Sequence, residues 1–158
     1  MNISRYQKCF GVGLIGAIIC WVLFGLLWLL DRAFNHVEIL SQPNPIRIVG
    51  SAFIAVWICW HLWCMKNINS WWKEDQLCTT GPYRFVRHPM YAGVGLLFSL
   101  GWALIFNSWI ILSLPILSYF ILSALVRREE KMMEAVFGEE YKRYAECTGR
   151  LLPRFFRK

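Results

Sequence analysis

Residues 91–126 read YAGVGLLFSLGWALIFNSWIILSLPILSYFILSALV, a run with no charged side chain. A bilayer core about 30 Å thick needs about 20 apolar residues for a helix to cross it. This run is too long for one crossing and has a polar break at Asn107 and Ser108. It therefore reads as two spans, about 91–106 and 108–126, joined in a tight antiparallel hairpin.

The same pattern extends upstream. Residues 11–30 carry no charge, and residues 48–65 are interrupted only by His61. The chain of 158 residues, 57% hydrophobic and 17% charged, is thus expected to be an all-α integral membrane domain with four transmembrane helices. A cleaved signal peptide is not expected, because the first apolar block is too long and ends in LLDRAF rather than in small residues. The loop between the first two spans contains SQPNPIR, whose Pro43 and Pro45 stop a helix and mark a connector. Trp28 and Trp109 are placed at the outer interface, and Trp71 and Trp72 at the inner one.

Charge sets the expected orientation. Four spans put the N-terminus, the second loop and the C-terminal tail on one side. Arg5, Lys8, Lys66, Lys73, Arg84, Arg87 and every Lys or Arg beyond Val126 fall there, against Arg32 and Arg47 on the other side. The bias places both termini in the cytoplasm. The net charge of +7 is then a feature that meets anionic lipid headgroups, and no nucleic-acid partner is expected. The six cysteines include no CxxC pair and read as free thiols. Metal binding by Cys59 and Cys64 together with His61 is the alternative for two of them, and no metal is expected.

Below the third span lies GPYRFVRHPMY, residues 81–91. Pro89 pushes His88 out of the helical region, and Pro82 does the same to Gly81. Irregular backbone near a membrane persists where it is buried in protein or lines a wet cavity. The segment gathers helix-end N–H groups, an imidazole, two guanidiniums and aromatic rings, a set suited to a ligand with a carboxylate and a flat ring. An interfacial anchor explains the same residues equally well. In the second span, Trp57, Trp60, His61 and Cys64 share a face that reads either as helix packing or as a cavity wall. His61 is kept as a cavity-lining candidate, since an intramembrane histidine is costly unless it faces the bundle interior or water. Gly95 and Ser99 form a small-xxx-small pair in the third span, the mark of close helix packing.

After Val126, RREEKMMEAVFGEEYKRYAECTGR sets Met132, Met133, Val136, Phe137, Tyr141, Tyr144 and Ala145 on one helical face. This predicts a C-terminal amphipathic cytoplasmic helix within 127–153, with Gly138 as a kink. Resting on the membrane surface accounts for such a helix but leaves its opening pair of acids unexplained.

The combination LCTTGPYRFVRHPMYAG, EEKMMEAVFGEEYKRY and RLLP resembles the isoprenylcysteine carboxyl methyltransferase family. That family is similar to phospholipid N-methyltransferases and, more distantly, to membrane sterol reductases. The resemblance covers roughly residues 75–153. It implies an integral membrane enzyme using S-adenosylmethionine without a Rossmann domain. It implies that the cofactor is bound by Tyr83, His88, Pro89, Met90 and Tyr91, by Asp75, Gln76, Leu77 and Cys78 chiefly through backbone, and by Glu129 or Glu130. It implies that Arg87 acts near the reacting groups, as the catalytic residue. Two positions depart from the prenylcysteine enzymes: Asp75 stands where they often have His, and Leu125 or Val126 where they carry a substrate-binding Arg. Arg127 and Arg128 are the neighbouring candidates for substrate binding.

The expected reaction is methyl transfer from S-adenosylmethionine to a lipophilic small-molecule or prenylated substrate at the inner leaflet. An NADPH-dependent reductase of the sterol-reductase type, a phospholipid or amine N-methyltransferase, and a non-enzymatic membrane scaffold are the competing readings.

Overall fold

The computed structural model describes residues 11–74 and 76–154, with side chains described over 15–68 and 76–154. The expectations for Asp75, for the side chains of Trp71 and Trp72, and for Arg5, Lys8 and Cys9 lie outside the described residues.

The chain is all-helical, and among the described residues the only extended pairings are two isolated bridges. Helix α1 spans Gly11–Ala33 and α2 spans Asn44–Glu74. Helix α3 runs through Pro89–Phe106, and α4 spans Leu114–Phe137 behind a single 3-10 turn at Ile111–Ser113. The short helix α5 is Glu139–Cys147. Among the described residues, four helices are long and apolar enough to cross a membrane: Ile15–Ala33, Asn44–Ile68, Pro89–Phe106 and Ile111–Phe137. The protein is thus a multi-pass membrane protein.

Two helices outrun the apolar stretches that announce them. Helix α2 begins at Asn44 and continues to Glu74, past the polar residues Lys66 and Asn67. Hydrophobicity marks what contacts lipid, whereas a helix stops only where its backbone is interrupted. Helix α4 likewise passes Val126 without a break, so the first half of the expected separate amphipathic helix is the end of the fourth span. The interruption comes at Gly138, whose φ of 55° and ψ of −128° suit a residue without Cβ. Helix α5 follows this break, with Tyr141 buried and Lys142 and Arg143 exposed. Residues 148–154 are not helical.

Helix α2 packs most extensively along α3, and α1 lies against α4. A Cβ on Gly50 would stand 2.7 Å from the Gly101 carbonyl oxygen, so the backbones of α2 and α3 meet at this pair. Gly95 approaches α4, where a Cβ would stand 2.9 Å from Leu122 Cδ1. Residues Gly93–Phe98 form a π-helical segment inside α3, and the Ser99 hydroxyl donates to the Gly95 carbonyl at 2.6 Å. Such insertions are uncommon and concentrate near functional sites.

The hairpin between α3 and α4 turns on Asn107, whose φ is 52°. Its side chain accepts from Leu40 N at 3.0 Å and donates to Leu40 O at 2.7 Å. Next to it, Ser108 donates to buried Asp31 at 2.5 Å, and His36 lies 2.7 Å from the other Asp31 oxygen. Asp31 is thereby satisfied in a place where a lone carboxylate would be costly. Arg47 also belongs to this end, through a bond from its Nε to Ile105 O. The GPYRFVRHPMY segment lies at the opposite end of the bundle.

Candidate active site

The segment 81–91 folds in three short steps. Gly81–Arg84 forms a 3-10 turn with Pro82 near its start, Phe85–Arg87 is irregular, and Pro89 opens α3. The helix thus starts two residues earlier than Tyr91. His88 is its N-cap residue, with φ −122° and ψ 65°, held off the helix by the proline after it. Trp60 Nε1 donates to Pro89 O at 2.8 Å and ties this bend to α2.

The C-terminal tail crosses beneath the bend. Arg87 N donates to Gly149 O at 2.7 Å and His88 N to Arg150 O at 3.1 Å, beside a parallel bridge between Val86 and Gly149. Leu151 is buried in a cluster with Cys20, Val86, Ala92 and Leu122. The tail residues of the RLLP motif therefore close the floor under the segment.

Above this floor is a cavity of about 360 Å³. Leu77, Cys78, Tyr83, Arg87, His88, Pro89, Met90, Tyr91 and Glu129 all line it, as does His61 of α2. Gln76 is exposed and does not reach it. Arg127 and Arg128, the candidates for substrate binding, are exposed as well and do not line it. Helical phase is the reason: Val126 and Glu129, three apart, face the interior, which turns the two residues between them outward. Sequence reasoning did not single out the membrane-side wall of Gly16, Ala17, Val94 and Leu122. Met133, Tyr141 and Tyr144 also line the cavity, and their signal was the shared helical face.

The adjacent acids have different surroundings. Glu129 is buried at the cavity, where Tyr91 donates to its Oε1 at 2.5 Å and His88 Nδ1 lies 3.4 Å from its Oε2. Glu130 serves the floor. Its Oε1 accepts from Arg87 Nε at 2.9 Å and from Arg87 Nη2 at 2.7 Å, and its Oε2 accepts from Arg150 Nε at 2.8 Å. Arg87 Nη1 also donates to Ala145 O at 2.8 Å and to Thr148 O. Four of its five N–H groups are therefore engaged. Arg87 borders the cavity, but its guanidinium is built into the junction of the bend, α4 and the tail.

His88 sits between the acids, with Nε2 3.7 Å from Glu130 Oε1 and without a hydrogen-bond partner. Burial opposes its charged form, but the two facing carboxylates outweigh burial and raise its pKa above the ordinary histidine value. Burial pushes the Cys78 thiol up to about 11, which keeps it protonated and weakly nucleophilic at neutral pH. Burial, assisted by the Glu130 charge, also raises the Tyr141 phenol. Tyr144 donates to Tyr83 O at 2.6 Å and joins α5 to the 3-10 turn. Among the described residues no three His, Cys, Asp or Glu side chains are grouped so as to hold a metal ion.

Residues 45–140, more than half of the chain, match the phospholipid methyltransferase family. The chain belongs to that family. It is also similar to the cobalt-zinc-cadmium resistance protein CzcN of Cupriavidus metallidurans, at 33% identity over 113 residues, or 70% of this chain and 51% of that protein. It thus spans about half the length of this curated relative. No solved structure matches. The matched region of this phospholipid methyltransferase family member takes in α2, the 81–91 segment, α3, α4 and the start of α5.

Proposed function

We propose that this protein is an S-adenosylmethionine-dependent methyltransferase acting on a lipophilic acceptor at the cytoplasmic face of the membrane. The reading rests on one observation above the rest: buried Glu129, flanked by Tyr91 and His88, borders a cavity formed by the segment that carries the family resemblance.

The residues present fit such a cofactor. A cavity of about 360 Å³ lies within the range of about 300–1,000 Å³ usual for small-molecule sites. His88 Nε2 is buried without a partner, Glu129 offers a carboxylate, and Tyr83, Tyr91 and Tyr141 offer ring faces. When bound, S-adenosylmethionine supplies an electrophilic methyl on a sulfonium cation. Glu129 would balance that cation or its amino group, and His88 would meet its carboxylate. The backbone of Leu77 and Cys78, with Met90, would enclose the rest. The apolar wall of Gly16, Val94 and Leu122 would receive the lipophilic part of the acceptor and exclude water. Exclusion of water favours a displacement in which charge is neutralised. Alignment of nucleophile, methyl and sulfur is a positioning task. In this reading Arg87 and Glu130 are positioning residues that hold the bend in place beneath the reacting atoms.

The acceptor is lipophilic because the apolar part of the cavity wall, Gly16, Ala17, Val94 and Leu122, comes from membrane-spanning helices. Charge asymmetry of the loops supports placing both termini and the cavity in the cytoplasm. An acceptor like isoprenylcysteine would present a carboxylate, and a phospholipid would present an amine. Both remain inside the proposal.

The test is thermal unfolding of detergent-purified protein with S-adenosylmethionine, S-adenosylhomocysteine or NADPH. A ligand at 100 times its Kd stabilises the fold by about 2.7 kcal/mol. Stabilisation by S-adenosylhomocysteine and not by NADPH is expected. Stabilisation by NADPH alone would replace this reading with a reductase, and no response to any of the three would remove the enzyme reading.

A further inference from the structure

From the bend, the cavity runs a short way up the membrane-spanning helices and stops. Its lining residues nearest the hairpin end are Ala17 of α1, His61 of α2, Val94 of α3 and Leu122 of α4. About one helical turn further on stand Trp21, Trp57 and Phe98, and none of these lines it. Phe98 is buried, with its ring centroid 5.2 Å from that of Trp21 and 4.8 Å from that of Trp57. A single ring of α3 thus meets aromatic partners on both α1 and α2.

The filling continues toward the hairpin. Trp102 follows Phe98 at a centroid distance of 6.1 Å, and Phe106 follows Trp102 at 5.7 Å. Phe24 of α1 lies 5.8 Å from Trp102 and 5.6 Å from Phe106. Helix α3 therefore reads Val94, Phe98, Trp102, Phe106 at steps of four. Where this series is aromatic the space is filled by rings. Where it shrinks to Val94, and α1 to Gly16 and Ala17, the cavity begins. Between α3 and α4 there is no room, since a Cβ on Gly95 would stand 2.9 Å from Leu122 Cδ1. The π-helical segment Gly93–Phe98 carries both Val94, the last lining residue of α3, and Phe98, the first ring of the filling.

We infer that Phe98 is a specificity-determining residue, whose ring stops the apolar chain of the acceptor and so sets the longest chain that the cavity takes. The inference rests on the methyltransferase reading above and deepens it by adding a length limit that is independent of the acceptor's head group. A chain whose head lies at the bend runs along α3 toward the hairpin, and about 10 Å of helix separates Tyr91 from Phe98. A chain that is longer meets a buried ring backed by Trp102 instead of open space. In a close-packed interior that ring cannot turn aside without displacing Trp21, Trp57 or Trp102. Phe98 touches the chain end and not the reacting atoms, so it selects substrates without taking part in the chemistry.

The experiment uses the full chain in phosphatidylcholine nanodiscs with saturating S-adenosylhomocysteine. Two series of straight-chain probes, n-alkylamines and n-alkanoates from butyl to hexadecyl, are added one member at a time, and thermal unfolding is followed by tryptophan fluorescence. In parallel, methyl transfer from tritiated S-adenosylmethionine gives kcat/KM for each member. In the wild type, stabilisation by at least one series should hold up to a limiting length and fall beyond it. A single methylene in an apolar pocket is worth about 10–200-fold, so kcat/KM should drop by at least about tenfold past the limit. Phe98→Ala and Phe98→Leu should move the limit to longer chains, and Phe98→Trp should move it to shorter ones. Leucine and tryptophan keep an apolar side chain at this position and carry the test should the alanine variant unfold. Unchanged affinity for S-adenosylhomocysteine reports that a variant is folded. The same limit in the wild type and every folded variant would overturn the inference. Uniform weakening of all members in the variants would do so too, as would a wild type with no limit or no response to either series. Failure of the methyltransferase reading itself would appear differently, as absence of S-adenosylhomocysteine binding to the wild type, whereas the length limit in unfolding can be read without that ligand.

Discussion

Arg87 and Glu130 are 43 positions apart in sequence, and two N–H groups of one meet a single carboxylate oxygen of the other at 2.7 and 2.9 Å. The contact joins the bend below α3 to the last turns of α4, and Arg150 brings the tail to the same carboxylate. Both Arg87 and Glu130 side chains are about one-tenth exposed, at 11% and 13%. Removing one partner from a buried pair leaves the other charge uncompensated and typically costs about 3–5 kcal/mol. Glu130→Ala and Arg87→Ala should therefore each lower thermal stability in detergent by several kcal/mol. The double variant should cost much less than the sum, because both remove the same contact. Additive losses in a double-mutant cycle would show that the pair is not coupled.

His88 predicts a pH dependence. Its folded pKa is raised above an unfolded value near 6.5, so the folded state binds the proton more tightly. The stabilisation is complete below about pH 6.5 and is lost as pH rises through the raised folded value. The groups responsible are Glu129 and Glu130, which face the ring from α4. Unfolding measured across this window should show stability falling with rising pH. His88→Gln should flatten that part of the curve. An unchanged slope in the variant would assign the dependence to another group.

Glu129 and Tyr91 make a prediction about binding. The Tyr91 hydroxyl holds Glu129 Oε1 at 2.5 Å, and hydrogen bonds to charged groups are worth about 1.5–3 kcal/mol. Glu129→Ala and His88→Ala should weaken S-adenosylhomocysteine binding by at least about tenfold, equivalent to about 1.4 kcal/mol, while leaving the protein folded. Tyr91→Phe should weaken it less, since the carboxylate remains. Titration calorimetry on the detergent-solubilised variants distinguishes these, and wild-type affinity in both Glu129→Ala and His88→Ala would remove the cofactor assignment from this end of the cavity.

Much of this architecture is legible in the sequence because a membrane imposes its own pattern. The four apolar runs and the turn at Asn107 and Ser108 follow from what a bilayer excludes. Helix ends are less legible. Nothing in the hydropathy of α2 announces that it continues to Glu74, and nothing at Val126 marks the passage of α4 out of the apolar region. The inward phase of Glu129 follows from its spacing to Val126, and the same spacing turns Arg127 and Arg128 away. The partnership of Arg87 with Glu130 is invisible for a different reason. It depends on the tail passing under the bend, and sequence patterns carry no signal for contacts between irregular segments. The π segment at Gly93–Phe98 is hidden as well, since its residues suit any membrane helix.

The contact between Gly50 and Gly101 sets the spacing of α2 and α3, and with it the position of His61 and Trp60 relative to Pro89. A Cβ on Gly50 would stand 2.7 Å from the Gly101 carbonyl oxygen and 2.9 Å from Ile105 N. These are backbone atoms, so relief requires the helices to separate rather than a side chain to rotate. Overpacking of this kind typically costs about 1–3 kcal/mol. Gly50→Ala should lower thermal stability by an amount in that range, and Gly50→Leu by more. Because the pair lies toward the hairpin end, away from the cavity, binding at the bend should suffer less than stability. A Gly50→Ala variant with undiminished stability would mean that α2 and α3 are not in backbone contact at this level.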